Sequence, residues 1–154
     1  MNRGAAMPIP QVSVYLDNRP GSLSEAMAQL DRNKIQVFAL SIADAGEFGL
    51  VRMVTWDPEK ATTVLEDVDY NLAKSRRNTE VTAVFIGDED KISKITKILA
   101  DCSINIEYAY SSAVHVNGKI ALILRASDIE NAEKNLKANG ITVLTLAEIK
   151  KYFQ

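Results

Sequence analysis

The stretch of this chain that decides its fold reads Leu16-Asp17-Asn18-Arg19-Pro20-Gly21-Ser22-Leu23-Ser24-Glu25. Just before it, residues Val12 to Leu16 alternate with period two, which predicts a β-strand. From Leu23 to Leu30, apolar residues recur at helical spacing and predict an α-helix. Pro20 fixes the backbone angle φ, and Gly21 can adopt angles closed to other residues. The stretch therefore predicts a strand, a tight turn and a helix.

The start of the predicted helix carries a capping signal. Ser22 and Glu25 have the spacing of a capping box, in which each side chain binds the backbone amide of the other residue. We expect the helix to begin at Ser22, with free N–H groups and the positive end of its dipole facing the turn. Such an end suits a carboxylate or a phosphate. The alternative is a well-formed turn without a ligand, since Pro and Gly are common turn residues.

The composition limits the class of protein. The 154 residues suffice for one ordinary domain or two small ones, and 47% apolar with 25% charged residues is a globular profile. The net charge of −2 favours neither nucleic acid nor a membrane surface as a partner. No apolar run approaches membrane-spanning length, and residues 1–8 lack the apolar core of a secretion signal. We therefore expect a cytoplasmic protein with no nucleic-acid and no membrane partner.

Few residues are available for catalysis or metal binding. Cys102 is the only cysteine and His115 the only histidine, which excludes an internal disulfide and argues against a His-rich metal site or a His-dependent nucleophile. No pair of acidic residues stands at a motif spacing. We expect no catalytic residue, no metal site and no cofactor.

The predicted elements occur twice in the same order. A β-α-β-β-α-β series runs from a strand at about 11–17 to a short strand near 70–73, and the same series runs from about 81 to 144. The apolar positions of the two halves coincide at a shift of 69 residues. The matched pairs are Leu16 with Phe85, Leu23 with Ile92, Leu30 with Leu99, Ile35 with Ile104, Val37 with Ile106, and also Gly49 with Gly118.

An internal repeat of this kind predicts two small domains. Each copy would form an α+β sandwich, a ferredoxin-like unit with helices on one face of an antiparallel sheet. The predicted boundaries are an N-terminal tail at 1–10, a first domain at 11–75, a second domain at 80–145 and a short C-terminal helix at 146–154. The linker between the copies is short and polar, which favours side-by-side packing.

The first copy resembles the ACT domain, because Asn18-Arg19-Pro20-Gly21 separates its first strand from a helix that begins Ser22-Leu23. The resemblance covers about 11–145 as two tandem copies. It implies two ferredoxin-like sandwiches and a regulatory module that binds an amino acid or a similar small ligand. In such modules the ligand typically lies between two copies, where the strand–helix turn of one meets the second strand of the other.

Carried onto this chain, the resemblance implies a ligand site around the first-copy turn. The implied ligand-binding residues are Asn18, Arg19, Pro20, Gly21, Ser22 and Leu23 of the turn, with Ile42, Ala43 and Asp44 as the facing wall. The second strand of the second copy is the alternative wall. Amides after Gly21 could bind a ligand carboxylate and Asp44 its ammonium group, while Asn18 could serve either. Ordinary turn and surface roles stay open for Asn18, Arg19 and Asp44.

The second copy departs from the motif. Gly87-Asp88-Glu89-Asp90-Lys91 stands where the first copy has Asn18-Arg19-Pro20-Gly21-Ser22. These acidic side chains would repel a ligand carboxylate. We therefore expect the second copy to supply an interface wall rather than a second loop of the same kind.

The second strand of each copy carries a further prediction. Residues Ile35–Ile42 are apolar on both faces, and helices cover only one face of a two-layer unit. We therefore expect a homodimer or back-to-back sheets to cover the other face. In the second copy, Ile104, Ile106, Tyr108 and Tyr110 are predicted to share one face.

The leading hypothesis is a stand-alone amino-acid sensor without enzymatic activity, which signals through its oligomer or through an unidentified protein partner. One alternative is a structural dimerisation module without a ligand, and another is a small enzyme on the same fold. An RNA-binding module has the same element order, but the third strand, Phe48 to Val54, lacks the stacking aromatics of that class.

Overall fold

The two sequence copies form two antiparallel sheets, each with its own pair of helices. The computed structural model describes residues 8–67, 71–72, 80–87, 91–115 and 118–151, with 71–72 described by their backbone alone. A two-residue strand, β1 (Ile9–Pro10), precedes the first copy. Among the described residues, none of the helices combines the length and the apolar character needed to span a membrane.

The first copy has the predicted element order. Its elements are β2 (Val12–Asp17), α1 (Ser22–Arg32), β3 (Val37–Ala45), β4 (Phe48–Thr55), α2 (Pro58–Asp67) and β5 (Asn71–Leu72). The sheet has the strand order β3-β4-β2-β5, with every neighbouring pair antiparallel. Alternate residues of β2, beginning with Val12, pack with Ala26 and Leu30 of α1 in the first-copy core.

The second copy repeats this arrangement. Its elements are β6 (Glu80–Ile86), α3 (Ile92–Asp101), β7 (Ile106–Ser111), β8 (Ile120–Ala126), α4 (Ile129–Ala138) and β9 (Val143–Leu144), and α5 (Leu146–Lys151) follows. Its sheet has the order β1-β6-β8-β7, and β9 also pairs with β6. The predicted fold class, α+β with two ferredoxin-like sandwiches, is confirmed.

A β-bulge occurs at the same place in both copies. In β3 the pairing shifts between Val37 and Ala39, so that Phe38 is the extra residue. In β7 it shifts between Ile106 and Tyr108, and the extra residue is Glu107, which stands 69 residues after Phe38. The bulges therefore fall at the spacing that the sequence repeat predicts.

The first helix of each copy ends in the same motif. After α1, the amide of Lys34 donates to the carbonyl of Asp31, and the amide of Ile35 donates to that of Leu30. Lys34 has a positive φ of 58°, as has Ser103 at the corresponding place after α3. This is the Schellman arrangement, here with Lys and Ser instead of the usual Gly at the left-handed position.

A separate apolar cluster, the inter-copy core, joins the two copies. Its buried members are Ile9, Phe38, Ala39, Val54, Val81, Ala83, Ala121, Ile123, Leu144 and Ile149. They come from the helix-free faces of both sheets and from α5. The predicted cover for β3 is therefore partly intramolecular, since the second copy buries Phe38 and Ala39.

The edges of the two sheets meet where β3 begins. Ala39 forms an isolated antiparallel bridge with Ser112, and the amide of Ala113 donates to the carbonyl of Phe38 at 2.8 Å. The bulge directs both Phe38 and Ala39 into the inter-copy core, because one extra residue changes which face the next side chain occupies. The copies are thus joined by backbone hydrogen bonds as well as by apolar packing.

The N-terminal segment also joins the copies. The sequence places residues 1–10 in a tail, but Ile9 and Pro10 form β1, which pairs with Val81 and Glu80 of the second copy's sheet. Ile9 is buried in the inter-copy core, so apolar burial holds this short strand in place. Residues 1–7 of the predicted tail lie outside the described residues.

The predicted common face of the second-copy strand is wrong. Ile104 and Ile106 pack toward α3 and α4, whereas Tyr108 and Tyr110 contact the inter-copy core on the opposite face. The cause is the bulge at Glu107, because an extra residue breaks the strict alternation of strand side chains.

Candidate functional site

The turn between β2 and α1 has the sharp geometry that its sequence predicts. Gly21 has φ of 91°, a left-handed angle that an L-residue with a side chain rarely adopts. The amide of Arg19 donates to the carbonyl of Asp17 at 2.9 Å. The helix begins at Ser22, as expected, with Gly21 as its N-cap residue.

The predicted capping box is wrong, because Gly21 rather than Ser22 occupies the N-cap position. The amide of Glu25 donates to the carbonyl of Gly21 at 2.9 Å, and the Glu25 carboxylate contacts Arg19 at 3.4 Å. Ser22 is only 5% exposed, and its hydroxyl has no hydrogen-bond partner among the described residues. The positive φ of Gly21 therefore places the N-cap one residue ahead of the side-chain signal, while the helix still begins at Ser22.

The exposed end of α1 presents unused donors. The first amides of a helix have no acceptor within it, and those of Leu23 and Ser24 form no backbone hydrogen bond in the part of the chain that the structure describes. These amides and the positive end of the helix dipole favour an anionic group. Ser22 lies on the buried face of α1 together with Ala26 and Leu30. The backbone amides alone therefore carry the anion-binding chemistry of this end.

Asn18 joins this turn to the β3–β4 hairpin. Its side-chain amide donates to the carbonyl of Gly46 at 2.9 Å and contacts the Asp44 carboxylate at 3.4 Å. Its backbone amide donates to the carbonyl of Glu47 at 2.9 Å. Asp44 in turn accepts a hydrogen bond from the Gly46 amide at 3.0 Å. The structure therefore brings Asn18 and Asp44 together, and both have local turn partners.

Arg19 is engaged by acidic neighbours on both sides. Its guanidinium lies 3.7 Å from the carboxylate of Asp17 and 3.4 Å from that of Glu25, and all three side chains are largely exposed. Exposed pairs of this kind contribute about 0–1 kcal/mol. Arg19 thus has the surface role that the sequence left open, while its charge stays beside the turn.

The predicted wall residues Ile42 and Ala43 face opposite sides of the sheet. Ile42 lies opposite Val51 of the first-copy core, and Ala43 lies opposite Leu50. The side chain of Ile42 is 54% exposed although it is apolar. Ile42 therefore shares the helix-bearing face with the turn, whereas Ala43 lies on the other face and is not brought to the turn.

The second copy does not form the alternative wall within one chain. β7 meets β3 near Phe38 and Ala39, whereas the turn lies at the other end of β3, where Asp44 contacts Asn18. In the second copy's own turn, the acidic residues 88–90 lie outside the described residues. Among the residues that the structure does describe, no cluster of His, Cys, Asp and Glu could hold a metal ion.

A sequence-family model for the ACT domain pair matches residues 7–151. The chain belongs to the ACT domain pair family. The resemblance suggested by Asn18-Arg19-Pro20-Gly21 and by the repeat is therefore confirmed. No curated protein sequence matches the chain significantly.

Solved structures share this fold over most of the chain. A crystallised protein from Bacteroides thetaiotaomicron is similar, with a TM-score of 0.82 and 26% identity, covering 95% of this chain and 98% of that one. The ligand-free regulatory subunit of aspartate kinase from Thermus thermophilus has a TM-score of 0.60 and 15% identity, covering 86% and 93%. The corresponding subunit from Thermus flavus has a TM-score of 0.52 and 17% identity, covering 87% and 97%. The two kinase subunits support the fold of this ACT pair.

The sequence did not indicate a polar cluster between the two ACT copies, which we call the Gln11 junction and define as Gln11, Ser13, Arg52, Tyr108 and Tyr110. The Gln11 side-chain amide donates to the Tyr108 hydroxyl at 2.8 Å and to the Ser13 hydroxyl at 3.1 Å. The Tyr110 hydroxyl donates to the Gln11 carbonyl at 2.6 Å. The spacing of Tyr108 and Tyr110 indicated that both tyrosines lie on one face of their strand. Nothing in the sequence around Gln11 indicated its contact with them.

Burial affects the chemistry of Tyr110 in this junction. Loss of solvation is the largest cause that raises the pKa of its hydroxyl above the ordinary value, and neighbouring Tyr108 raises it further. The positive charge of Arg52 opposes this rise. Tyr110 therefore stays neutral in the folded ACT pair and acts as a hydrogen-bond donor.

Proposed function

We propose that this ACT pair is a regulatory protein that binds an amino acid at the first-copy turn and catalyses no reaction. The carrying observation is the exposed start of α1, where the amides of Leu23 and Ser24 form no backbone hydrogen bond among the described residues. Membership of the family supports the proposal, because ACT domains bind small amino-acid ligands and oligomerise.

The proposed ligand geometry follows from the turn. The carboxylate of the amino acid would bind the amides at the start of α1, and its ammonium group would face Asp44, which Asn18 holds beside the turn. The exposed Ile42 would contact an apolar side chain of the ligand. Pro20 and Gly21 shape the turn, and Arg19 contributes charge. We do not place Ala43 in the site, because it lies on the opposite face of the sheet.

We also propose a homodimer in the cytoplasm, which signals through a change in its packing or through an unidentified protein partner. Beyond Ala39, β3 has β4 as its sheet neighbour on one side, and the described residues supply no strand for the other. A second copy of the chain would cover this edge together with Ile42. Light scattering at micromolar concentration should give the mass of a dimer, and a monomer would contradict this part of the proposal.

A thermal-shift screen against the twenty amino acids and a few nucleotides tests the ligand. A ligand at about 100 times its dissociation constant stabilises by about 2.7 kcal/mol, which raises the melting temperature by several degrees. We expect a selective shift with one chemical group of amino acids. No shift with any amino acid would contradict a sensor and favour the structural dimerisation module. Turnover of a metabolite would favour the enzyme instead.

The variant Gly21→Asp tests where the ligand binds. It places a carboxylate beside the amides that would bind the ligand's own carboxylate, so we expect the thermal shift to be lost. Gly140→Asp is the matched control, since Gly21 and Gly140 both have positive φ and open space where a Cβ would lie. A shift that persists in Gly21→Asp would contradict the turn as the site, as would equal losses in both variants.

A further inference from the structure

The Gln11 junction is built as a closed polar cluster inside an apolar boundary. Gln11 is only 4% exposed, and its amide oxygen and amide nitrogen are both hydrogen-bonded. Its partners come from both copies, since Ser13 lies in β2 and the two tyrosines lie in β7. Buried polar groups favour one specific arrangement, because any other packing leaves them without partners. The junction therefore selects one orientation of the two copies.

Arg52 adds a charged contact across the same boundary. Its guanidinium carbon lies 3.8 Å from the centre of the Tyr108 ring, which is a cation–π contact. The Tyr108 and Tyr110 rings stack nearly in parallel, with 6.4 Å between their centres. Arg52 is half-buried, and the structure shows it no carboxylate within salt-bridge distance among the described residues. The Tyr108 ring thus brings this charge of the first copy into contact with the second copy.

Two neighbouring strands run directly from the junction to the candidate site. Gln11 immediately precedes β2, and β2 ends at Asp17, next to Asn18 of the turn. This strand spans about 20 Å. β4 runs antiparallel beside it, with Arg52 opposite Ser13 and Phe48 opposite Asp17. A change in the strand direction at the turn would therefore reach the junction through two paired strands.

We propose that the Gln11 junction couples the first-copy turn to the packing of the second copy, so that a change in either one shifts the other. Its regulatory meaning rests on the proposed function, because occupancy of the turn is the signal that the junction would transmit. Coupling between two sites is reciprocal, so a variant at the junction must also change the turn. This reciprocity makes the proposal testable without any ligand.

The test is a double-mutant cycle between the turn and the junction. Asn18→Ala removes the side-chain hydrogen bond from the turn to the β3–β4 hairpin, and Gln11→Leu removes the junction hydrogen bonds. Because Gln11 is buried, Tyr108→Phe is measured in parallel as a milder variant that keeps the aromatic ring. Urea unfolding is followed by the fluorescence of Trp56, the only tryptophan, which lies in the first copy. For each variant, the measured quantity is the factor by which the substitution changes the unfolding equilibrium constant.

If the turn and the junction are independent, the double variant changes the unfolding equilibrium constant by the product of the two single factors, within about twofold. We expect a departure of more than threefold for a junction variant that folds. Thr82→Val is the matched control, because Thr82 makes a buried hydrogen bond to Glu133 inside the second copy. Its cycle with Asn18→Ala should agree with the product.

The proposal is overturned if both junction variants stay within threefold of the product, or if the control departs as much as they do. When Gln11→Leu does not fold, Tyr108→Phe decides alone. The outcome does not depend on the ligand screen, since no amino acid is added. A failed ligand screen would therefore contradict the proposed function, whereas a failed double-mutant cycle would contradict the coupling.

Discussion

The two copies of this ACT pair have the same scaffold and differ at the turn that would bind a ligand. Both have the bulge in the second strand and a left-handed residue after the first helix, at Lys34 and Ser103. In the first copy, Gly21 caps α1 with a positive φ, whereas Lys91 caps α3 with an extended backbone. The comparison indicates that backbone geometry is retained where both sheets need it and diverges where one copy would bind a ligand.

The helix-free faces of the sheets differ as well. The second copy's face packs against α5 and the first copy in the inter-copy core. On the first copy's sheet, Tyr15 and Phe48 are each 41% exposed. Among the described residues, α5 follows the second copy, so the helix-free face of the second copy's sheet has a cover that these residues do not give to Tyr15 and Phe48.

The bulge residues offer the sharpest contrast between the copies. Phe38→Ala should destabilise the protein by about 3–5 kcal/mol, because it leaves a cavity in the inter-copy core. Glu107→Ala, at the equivalent position, should cost only about 1 kcal/mol, since Glu107 is 48% exposed and Arg125, whose side chain is 17% exposed, keeps its hydrogen bond to the Glu80 carbonyl. Urea unfolding measures both, and equal effects would contradict the different roles of the two bulges.

Two equivalent leucines test whether the copies unfold as one unit. Leu65 in α2 and Leu136 in α4 are both fully buried and stand 71 residues apart. Each change to Ala should cost about 2–5 kcal/mol. If the inter-copy core makes unfolding cooperative, Leu136→Ala in the second copy will shift the Trp56 fluorescence transition of the first. A Trp56 transition that moves only with Leu65→Ala would show independent copies.

Glycines before the first helix of each copy test whether an added side chain is resisted by the backbone angle or by a lack of room for its Cβ atom. Gly21→Ala should destabilise by about 1–2 kcal/mol, because alanine resists the left-handed angle at φ of 91°. Gly87 does not have a positive φ, and its added Cβ would approach only the flexible Lys119 side chain at 3.6 Å. Gly87→Ala should therefore stay within about 0.5 kcal/mol of the parent. Thermal unfolding compares the two, and a neutral Gly21→Ala would contradict the strained cap.

The raised pKa of Tyr110 predicts a loss of stability at alkaline pH. The unfolded chain releases the tyrosine proton near pH 10 while the folded chain keeps it, so stability falls as the pH rises above 10. This one group should lower the free energy of unfolding by about 1.4 kcal/mol at pH 11 relative to neutral pH. Tyr110→Phe should remove that part of the pH dependence, whereas Tyr15→Phe, at an exposed position, should retain it. Equal pH profiles for Tyr110→Phe and the parent would contradict the prediction.

The smallest expected effects come from the left-handed residues. Lys34→Gly and Ser103→Gly should each stabilise by about 0.5–1 kcal/mol, because glycine relieves the positive φ of 58° but loses more backbone entropy on folding. Similar gains in both variants would confirm that the Schellman ends are equivalent. A gain in one copy alone would show that the other position has a further role.

Local pattern predicted most of the fold. The β-α-β-β-α-β order and the 69-residue repeat followed from apolar spacing. The capping box at Ser22 failed because side-chain spacing does not report the backbone angle of the preceding glycine. A true capping box occurs at α5, where Thr145 and Glu148 bind each other's amides.

The candidate site could be predicted only in part. The turn residues are neighbours in sequence, so Asn18 to Leu23 were found together, and Asn18 does contact Asp44. Ala43 follows Ile42 in the sequence, but it lies on the opposite face of the sheet because side chains alternate along a strand. Gln11 was missed because nothing local to it indicates tyrosines 97 and 99 residues further along the chain. As predictions, the site residues await the ligand screen.

The sequence by itself determined the elements, their order, the repeat and the sharp turn at Pro20 and Gly21, because periodicity and backbone restriction act between near neighbours. Only the tertiary structure decided how the copies join, including β1 on the second sheet, the inter-copy core and the Gln11 junction. These contacts depend on which apolar surface each sheet leaves uncovered. That surface exists only after both copies have folded and the bulges have fixed which side chains lie on it.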